Sequence, residues 1–311
     1  MESTVGNGYS VVSDGDGHHH GQKKPGLLKT YLELMKLRIV LLLCFTTVTA
    51  MIVAVDGFPA ADVLIATLVG GALAAAGSSA INQYIDRDMD AKMARTSRRP
   101  IPSGRVAPIN ALIFGISLVA WSMVVLIVFV NPLAALLSLI GALYYVVLYT
   151  LILKRNTVVN IIIGGGAGAM PVLVGWAAAT GSLTLEAFLL FAIVFYWTPP
   201  HSWALALLVN TDYARANVPM MPVARGEKVT RDQILFYSIQ LLLVSLLPGL
   251  FGILGVFYAT VAFVLGAGLV YMSFKLIRTA TKAVARTTYK YSTAYLAFLF
   301  LAMIFDRLLL S

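Results

Sequence analysis

Long apolar segments separated by short polar ones run through almost the whole chain. Because a membrane crossing takes about 20 apolar residues, this pattern predicts nine membrane-spanning helices. Asn131-Pro132 separates the third span from the fourth, because proline favours a helix start and disfavours helix in the residue before it. The expected bounds are 38–55, 61–85, 108–130, 132–152, 157–179, 184–209, 232–254, 256–276 and 289–310. The predicted fold class is therefore all-α, a polytopic membrane helical bundle.

The composition supports this prediction. Of 311 residues, 59% are hydrophobic and only 12% charged, whereas soluble domains carry about 25% charged residues. A water-soluble globule is thus excluded. Residues 1–26 contain no continuous apolar segment and predict a disordered cytoplasmic tail, which leaves residues 27–311 as a single transmembrane domain. A lone cysteine, Cys44, excludes an intramolecular disulfide and a cysteine-based zinc site.

The distribution of basic residues predicts the orientation in the membrane. If the nine spans alternate, every one of the 23 Lys and Arg residues except Arg307 falls on the same side. The positive-inside rule then places the N-terminus and the even-numbered loops in the cytoplasm and the C-terminus outside. The net charge of +9 therefore requires no nucleic-acid partner, although it would also attract an anionic substrate or anionic headgroups.

Acidic and amide side chains mark the end of the second span. If the helix continues, Asn82, Asp86 and Asp90 follow at i, i+4 and i+8 and share one face, while Asp88 points away. Oxygen ligands of this kind suit Mg²⁺, which leaves coordination positions for phosphate oxygens. The pattern predicts a site for a metal-bound diphosphate. The alternative interpretation is a solvated acidic helix end.

Further polar residues are expected on the same membrane face. Asp212, after the sixth span, is a second acidic centre that could hold a metal on the same diphosphate. Lys154 and Arg155, in the short fourth loop, could neutralise charge on a departing diphosphate, or could serve only as topological anchors. Arginine forks suit phosphate oxygens, and the loop after the second span carries Arg95 and Arg98.

His201 is the only histidine outside the tail, and it lies in the sixth span. Histidine is costly in a membrane, so we expect it to contact a substrate or its metal, or to transfer a proton. The alternative is a structural histidine bonded to a neighbouring helix. Several aromatic residues could line a cavity or face lipid: Tyr144, Tyr145, Tyr149, Phe195, Tyr196, Trp197 and Trp203.

The motif of Asn82, Asp86 and Asp90 resembles the first signature of the UbiA-type intramembrane prenyltransferases. Segments 149–155, 160–165, 175–176, 198–201 and 212–222 resemble one branch of that superfamily, the protohaem IX farnesyltransferases or haem O synthases. The resemblance spans roughly residues 28–308. It implies a nine-span bundle around a central cavity, with Mg²⁺ as cofactor. The implied metal ligands are Asn82, Asp86, Asp90 and Asp212, with Lys154 as a further catalytic residue; the implied substrate contacts are Tyr149, Lys154, Arg155, Arg95, Arg98, His201 and Tyr213.

The resemblance also implies a reaction. Farnesyl diphosphate would donate its farnesyl group to a vinyl group of haem B, water would add, and haem O and diphosphate would form. The implied surroundings are the lipid bilayer and contact with haem A synthase or the terminal-oxidase assembly machinery. A bacterial inner membrane is favoured over a mitochondrial one, because the tail lacks arginine and contains acidic residues, unlike a transit peptide.

Two departures from the family pattern and three alternative functions stay open. Ala216 stands where the second motif often has an aspartate, which puts a second metal in doubt, and Leu37 stands where the family usually has proline. The nearest alternative is prenylation of an aromatic acceptor such as 4-hydroxybenzoate. A secondary transporter would place its ionisable groups near the midplane, and a structural assembly factor would need no converging oxygen ligands.

Overall fold

The structure, a computed structural model, describes residues 26–309, and nearly all of the predicted tail lies outside the described residues. Within that range the chain is helical and contains no strand. The helices are α1 (Leu27–Met35), α2 (Leu37–Val55), α3 (Ala61–Ile85), α4 (Arg87–Lys92), α5 (Pro108–Phe129), α6 (Pro132–Leu143), a π-helix (Tyr144–Leu153), α7 (Lys154–Asn156), α8 (Asn160–Thr180), α9 (Leu185–Leu208), α10 (Asn210–Arg215), α11 (Met221–Ala224), α12 (Gly226–Leu250), α13 (Val256–Thr279) and α14 (Lys282–Leu309).

The helical membrane bundle predicted from sequence is confirmed, and the number of spans agrees approximately. Eight helical segments of the described chain are long and apolar enough to cross a membrane, and α6, the π-helix and α7 together form one of them. The sixth predicted span is α9, a 24-residue helix. It is not among the eight, and its sequence is interrupted by the polar segment Thr198-Pro199-Pro200-His201-Ser202.

The fourth predicted span changes its helix type halfway. After Leu143 the chain continues for 10 residues as a π-helix, whose backbone bonds join residues five apart. The Thr150 hydroxyl follows the same spacing and donates to the carbonyl of Tyr145 at 2.8 Å. Residues five apart, such as Tyr149 and Lys154, therefore share one face of this segment.

Helices α3 and α5 pack closely because glycines face each other at their crossing. A Cβ atom on Gly77 would lie 2.6 Å from the backbone oxygen of Gly115, and one on Gly115 would lie 2.7 Å from the Ile81 side chain. Only glycine allows the two backbones to approach this closely. The contact fixes α3, the helix that carries the first acidic motif.

The bundle has two distinct ends. At one end Lys36, which precedes α2, meets the last turn of α3, and Lys154 follows the π-helix there. At the other end Arg307 of α14 forms an ion pair of 2.9 Å with Asp56, which follows α2. The first span therefore begins at one end and the last finishes at the opposite end, as an odd number of crossings requires.

Candidate active site

Asn82, Asp86 and Asp90 share one face because the helical bonding continues through the junction of α3 and α4. The Asp86 N–H donates to the Asn82 carbonyl at 2.9 Å, and the Asp90 N–H donates to the Asp86 carbonyl at 2.8 Å. All three side chains are buried: Asn82 is 3%, Asp86 0% and Asp90 2% exposed. Asp88 is exposed, as its spacing predicts.

Each of these three oxygen ligands is bonded to its own cation. Lys36 Nζ lies 2.9 Å from Asn82 Oδ1, Lys154 Nζ lies 2.5 Å from Asp86 Oδ2, and Arg99 Nη1 lies 2.7 Å from Asp90 Oδ2. A buried carboxylate without a partner is strongly destabilising. The three cations thus allow the acidic face, which consists of Asn82, Asp86 and Asp90, to be buried.

The amide of Asn82 also links the acidic face to the π-helix. Its Nδ2 donates to Asp86 Oδ2 at 2.8 Å and to Thr150 Oγ1 at 3.1 Å. The Thr150 hydroxyl in turn donates to the Tyr145 carbonyl, five residues earlier in the π-helix. The π-helix therefore fixes the position of the hydroxyl that accepts from Asn82. The fourth span therefore supplies both a cation, Lys154, and a support for the amide.

The donor set fits a hard cation such as Mg²⁺. Asp86 Oδ1 is buried and has no hydrogen-bond partner within the described chain, although the Arg155 guanidinium lies 3.7 Å away. Two carboxylates and one amide oxygen are ligands that Mg²⁺ accepts. No group of three His, Cys, Asp or Glu side chains forms a metal site among residues 26–309, so the amide of Asn82 would be needed to complete the set.

The pKa of Lys36 is strongly perturbed by its surroundings. Burial, together with the charges of Arg99 and Lys154, lowers the pKa of Lys36 from 10.5 to about 7, and the two carboxylates offset this only in part. A bound anion would favour the protonated form again. On the outer face, the hydrogen bond from Arg155 lowers the pKa of Asp88.

Lys36 and Arg99 were not among the candidate site residues identified from sequence. Lys36 occupies the break between α1 and α2 and has the left-handed backbone angle φ = 52°. A helix junction of this kind has no clear sequence signal without glycine or proline. Arg99 directly follows Arg98 in a basic loop, so sequence alone did not distinguish the two.

The second acidic centre lies beside the loop that follows α4. Asp212 Oδ2 accepts the backbone N–H of Arg95 at 3.3 Å, and the Arg95 guanidinium lies 5.9 Å from the centre of the Tyr213 ring. Tyr149 packs against the same hydrophobic cluster as Tyr213. The two acidic regions are thus brought to one end of the bundle, bridged by Arg95. Among residues 26–309, no hydrogen bond or ion pair joins Asp212 directly to Asn82, Asp86 or Asp90, and Ala216 follows Asp212 one turn later.

Two other predicted basic residues, Arg98 and Arg155, are more exposed than Lys154. Arg98 is exposed, and its carbonyl accepts a hydrogen bond from Arg105 at 2.7 Å. Arg155 forms an ion pair of 2.8 Å with exposed Asp88. Arg155 also lies 3.7 Å from Asp86 Oδ1 and so contacts the acidic face from the rim of the site. Within the described chain, Arg98 lies at the rim without such a contact, and Lys154 lies inside the site.

A mostly apolar cavity of about 260 Å³ adjoins this cluster. It lies among α2, α3, the fourth span, α8 and α9, and Lys36, Tyr145 and Tyr149 line it near the acidic face. The rings of Tyr145 and Tyr149 stack with their centres 5.8 Å apart. Both tyrosines belong to the aromatic residues for which the sequence left two alternatives, a cavity lining or a lipid-facing position, and both line the cavity. The cavity could accommodate an apolar chain attached to a charged head at the acidic face.

His201 lies outside the lining of this cavity, between α9 and α14. Its ring stacks on Trp197, with ring centres 4.2 Å apart, and contacts Tyr289. Its Nδ1 lies 2.9 Å from the Ser292 hydroxyl. Thr198, one helical turn earlier, does line the cavity.

Comparison with known proteins identifies relatives over most of the chain. The model of the UbiA prenyltransferase family matches residues 43–304. A relative from Roseiflexus castenholzii, named protoheme IX farnesyltransferase, is 52% identical over 91% of this chain and 53% of its own length. The chain thus spans about half the length of that relative. A protein of the same name from Picosynechococcus is 46% identical over 93% of this chain and 92% of its own length.

Solved structures share the fold at low sequence identity. A structure described as digeranylgeranylglyceryl phosphate synthase has a TM-score of 0.75 at 20% identity and covers 90% of this chain and 98% of its own. A UbiA homologue from Archaeoglobus fulgidus, solved bound to DMAPP and Mg²⁺, has a TM-score of 0.65 at 16% identity and covers 88% of this chain and 99% of its own. Both confirm the arrangement of the helices.

Proposed function

The chain belongs to the UbiA prenyltransferase family, and from that premise we propose that it transfers the farnesyl group of farnesyl diphosphate to a vinyl group of haem B. Water adds in the same reaction, and the products are haem O and diphosphate. The names of relatives at 46–52% identity support this acceptor. The observation that carries the proposal is the buried set of oxygen ligands and cations beside an apolar cavity.

In this proposal the oxygen ligands bind the metal, and Lys154 stabilises the departing diphosphate. Mg²⁺, when bound by Asn82, Asp86 and Asp90, would supply positive charge to the diphosphate. Asp212 is proposed as a further ligand. Lys154 is close enough to donate to an oxygen of the departing diphosphate once that group is bound, and a cation placed before the reaction stabilises developing negative charge.

The proposed substrate contacts surround this point. Tyr149, in the cavity wall, would contact the prenyl chain, and Tyr213 would support Arg95 at the diphosphate. Arg98 and Arg155, at the rim, would attract the substrate before it enters. The apolar walls exclude water, so that the farnesyl cation is protected from hydrolysis.

The proposed transfer to the haem vinyl group takes place in three bond changes that balance. The bond between farnesyl C1 and the diphosphate oxygen breaks, and the vinyl group forms a new carbon–carbon bond to C1. Positive charge then lies on the vinyl carbon next to the macrocycle. Water forms a carbon–oxygen bond there, and its proton passes to the released diphosphate.

His201 is proposed as the contact for the haem iron. The Ser292 hydroxyl donates to the Tyr289 carbonyl at 2.8 Å, so its oxygen is available to accept the Nδ1 proton of His201. With the proton on Nδ1, the Nε2 atom keeps its lone pair free for the iron. Iron-ligating histidines commonly donate a hydrogen bond from the ring nitrogen that does not bind the metal. Thr198 lines the cavity and lies one helical turn before His201, so the histidine is one turn away from the cavity wall.

Replacing His201 with alanine is expected to weaken the binding of ferric haem by about tenfold. The absorption band of the bound haem should shift, because an axial ligand is lost. Affinity for farnesyl diphosphate should stay unchanged, since His201 lies outside the cavity lining. Haem titration by absorption spectroscopy measures the effect, and Ser202→Ala is the neighbouring control. If the haem spectrum and the turnover of the alanine variant were unchanged, the proposed contact between His201 and the haem iron would be rejected.

Conversion of haem B by the purified protein tests the function itself. With farnesyl diphosphate and Mg²⁺ in detergent, mass spectrometry is expected to detect a haem that carries one hydroxyethylfarnesyl group. A parallel reaction contains 4-hydroxybenzoate in place of haem. Prenylation of the aromatic acid without any haem product would retain the family chemistry and reject the proposed acceptor.

The location of the protein follows from the charge distribution and the relatives. The described helices show a multi-pass membrane protein. We place it in a bacterial inner membrane with the acidic face at the cytoplasmic side, because the basic residues cluster at that end. Contact with haem A synthase or with terminal-oxidase assembly stays a prediction of the family resemblance.

A further inference from the structure

Two serines in the wall of the cavity have hydroxyl groups without a hydrogen-bond partner. Ser78 and Ser79 of α3 are 4% and 5% exposed, and both line the cavity. Neither Oγ atom has a partner in the described chain. The hydroxyls of three threonines that line the same cavity instead donate to carbonyls of their own helices; these are Thr47, Thr67 and Thr198.

Several other buried serines of the bundle donate to a backbone carbonyl. Serine in an apolar helix commonly donates to a carbonyl of the preceding turn. Ser238 donates to Ile234 at 2.7 Å, and Ser273 donates to Leu269 at 2.8 Å. A buried hydroxyl without a partner is unfavourable, so a polar ligand at Ser78 and Ser79 would remove that cost.

The position of the two serines along α3 matches the place of reaction. Ser78 precedes Asn82 by four residues, which corresponds to about 6 Å along the helix. The C1 atom of farnesyl is bonded directly to the diphosphate, so the new carbon–carbon bond must form close to the acidic face. The serines therefore lie at the depth where positive charge appears on the acceptor.

We propose that Ser78 and Ser79 hold the water molecule that adds to the acceptor. This inference rests on the proposed function. The cavity must keep bulk water from the farnesyl cation and yet deliver one water to the cation that follows. A water that donates one hydrogen to one serine oxygen and accepts the hydroxyl hydrogen of the other serine has a lone pair left for the acceptor carbon and a second hydrogen that can pass to the released diphosphate.

The step is balanced without any further reagent. The water oxygen forms a bond to the vinyl carbon next to the macrocycle, and the resulting oxonium loses one proton to the released diphosphate. Without the held water, the same carbon cation loses a proton from the adjacent carbon and forms an alkene. The alkene product is lighter than haem O by one water.

The double variant Ser78→Ala, Ser79→Ala tests the proposal through the composition of the product. We expect the ratio of hydroxylated to dehydrated farnesyl haem to fall by at least about tenfold, because the water is no longer positioned. Mass spectrometry of the product formed in ¹⁸O-labelled water measures both species. The matched control is Thr67→Val, which removes a cavity hydroxyl that already bonds to Val63 and should leave the ratio unchanged.

Several outcomes separate this proposal from the proposed function. An unchanged product ratio in the double variant would overturn the water site, whatever the rate of turnover. If the double variant does not fold, Ser78→Ala and Ser78→Thr decide: the first should lower the ratio, and the second, which keeps a hydroxyl, should preserve it. Absence of any farnesylated haem with the wild-type protein would reject the proposed function instead.

Discussion

Replacing Asp86 with asparagine is expected to lower kcat for prenyl transfer by about a thousandfold. The substitution keeps the size of the side chain and removes its charge. Asp86 is fully buried, bonds to Lys154 at 2.5 Å and has a second oxygen with no hydrogen bond. Both the metal and the lysine therefore lose their charged partner. Steady-state turnover at saturating farnesyl diphosphate and varied Mg²⁺ measures the loss.

Asp88→Asn is the matched control for Asp86→Asn. Asp88 belongs to the same short segment and also bonds to a cation, Arg155, at 2.8 Å. Its side chain is 59% exposed, however, and exposed ion pairs contribute little. The control should keep kcat within about twofold of wild type. Equal losses in the two variants would contradict the assignment of Asp86 as the central ligand.

Sequence predicted most of the architecture and the acidic face, because both depend on local periodicity. Apolar segment length gave the spans, and the i, i+4, i+8 spacing placed Asn82 with two carboxylates on one helix face. The spacing argument needed a continuous helix. The hydrogen bonds across the junction at Asp86 provide that continuity, although the residue itself separates α3 from α4.

The sequence did not predict the features that depend on tertiary packing. The π-helix contains ordinary apolar and aromatic residues, and it is stabilised here by contacts such as that of Thr150 with Asn82. Lys36 resembles an ordinary interfacial anchor in sequence, yet it is half-buried and donates a hydrogen bond to Asn82. Long-range pairing places Lys154 2.5 Å from Asp86, whereas its neighbour Arg155 pairs with exposed Asp88 and lies 3.7 Å from Asp86.

The pairing of ligands with internal cations has a consequence for metal binding. Three side-chain cations compensate the acidic face in the structure. Mg²⁺ and diphosphate together would allow each of these cations to move from a carboxylate or amide oxygen to a phosphate oxygen. Because the protein's own charges are then redistributed and not removed, we expect metal and prenyl diphosphate to bind cooperatively.

Lys154→Met is the second substitution with a large expected effect, and it separates the two roles of this lysine. Without Mg²⁺, buried Asp86 keeps only the Asn82 amide as hydrogen-bond donor and the Arg155 guanidinium at 3.7 Å, so the free energy of unfolding should fall by about 3 kcal/mol. Bound Mg²⁺ would replace the missing charge, so it should stabilise the variant more than the wild type. Thermal unfolding in detergent, with and without Mg²⁺, measures this difference.

Catalysis by Lys154→Met should not recover with the stability. Mg²⁺ can compensate Asp86, but the cation that meets the departing diphosphate is still absent, and kcat should stay about a hundredfold below wild type. Arg155→Met is the matched control, since Arg155 pairs mainly with exposed Asp88 and lies 3.7 Å from Asp86, against 2.5 Å for Lys154; its stability and kcat should change much less than those of Lys154→Met. If Mg²⁺ stabilised Lys154→Met and wild type equally, the lysine would not be the internal counter-charge of Asp86. Full recovery of kcat at high Mg²⁺ would show that leaving-group stabilisation depends on the metal alone.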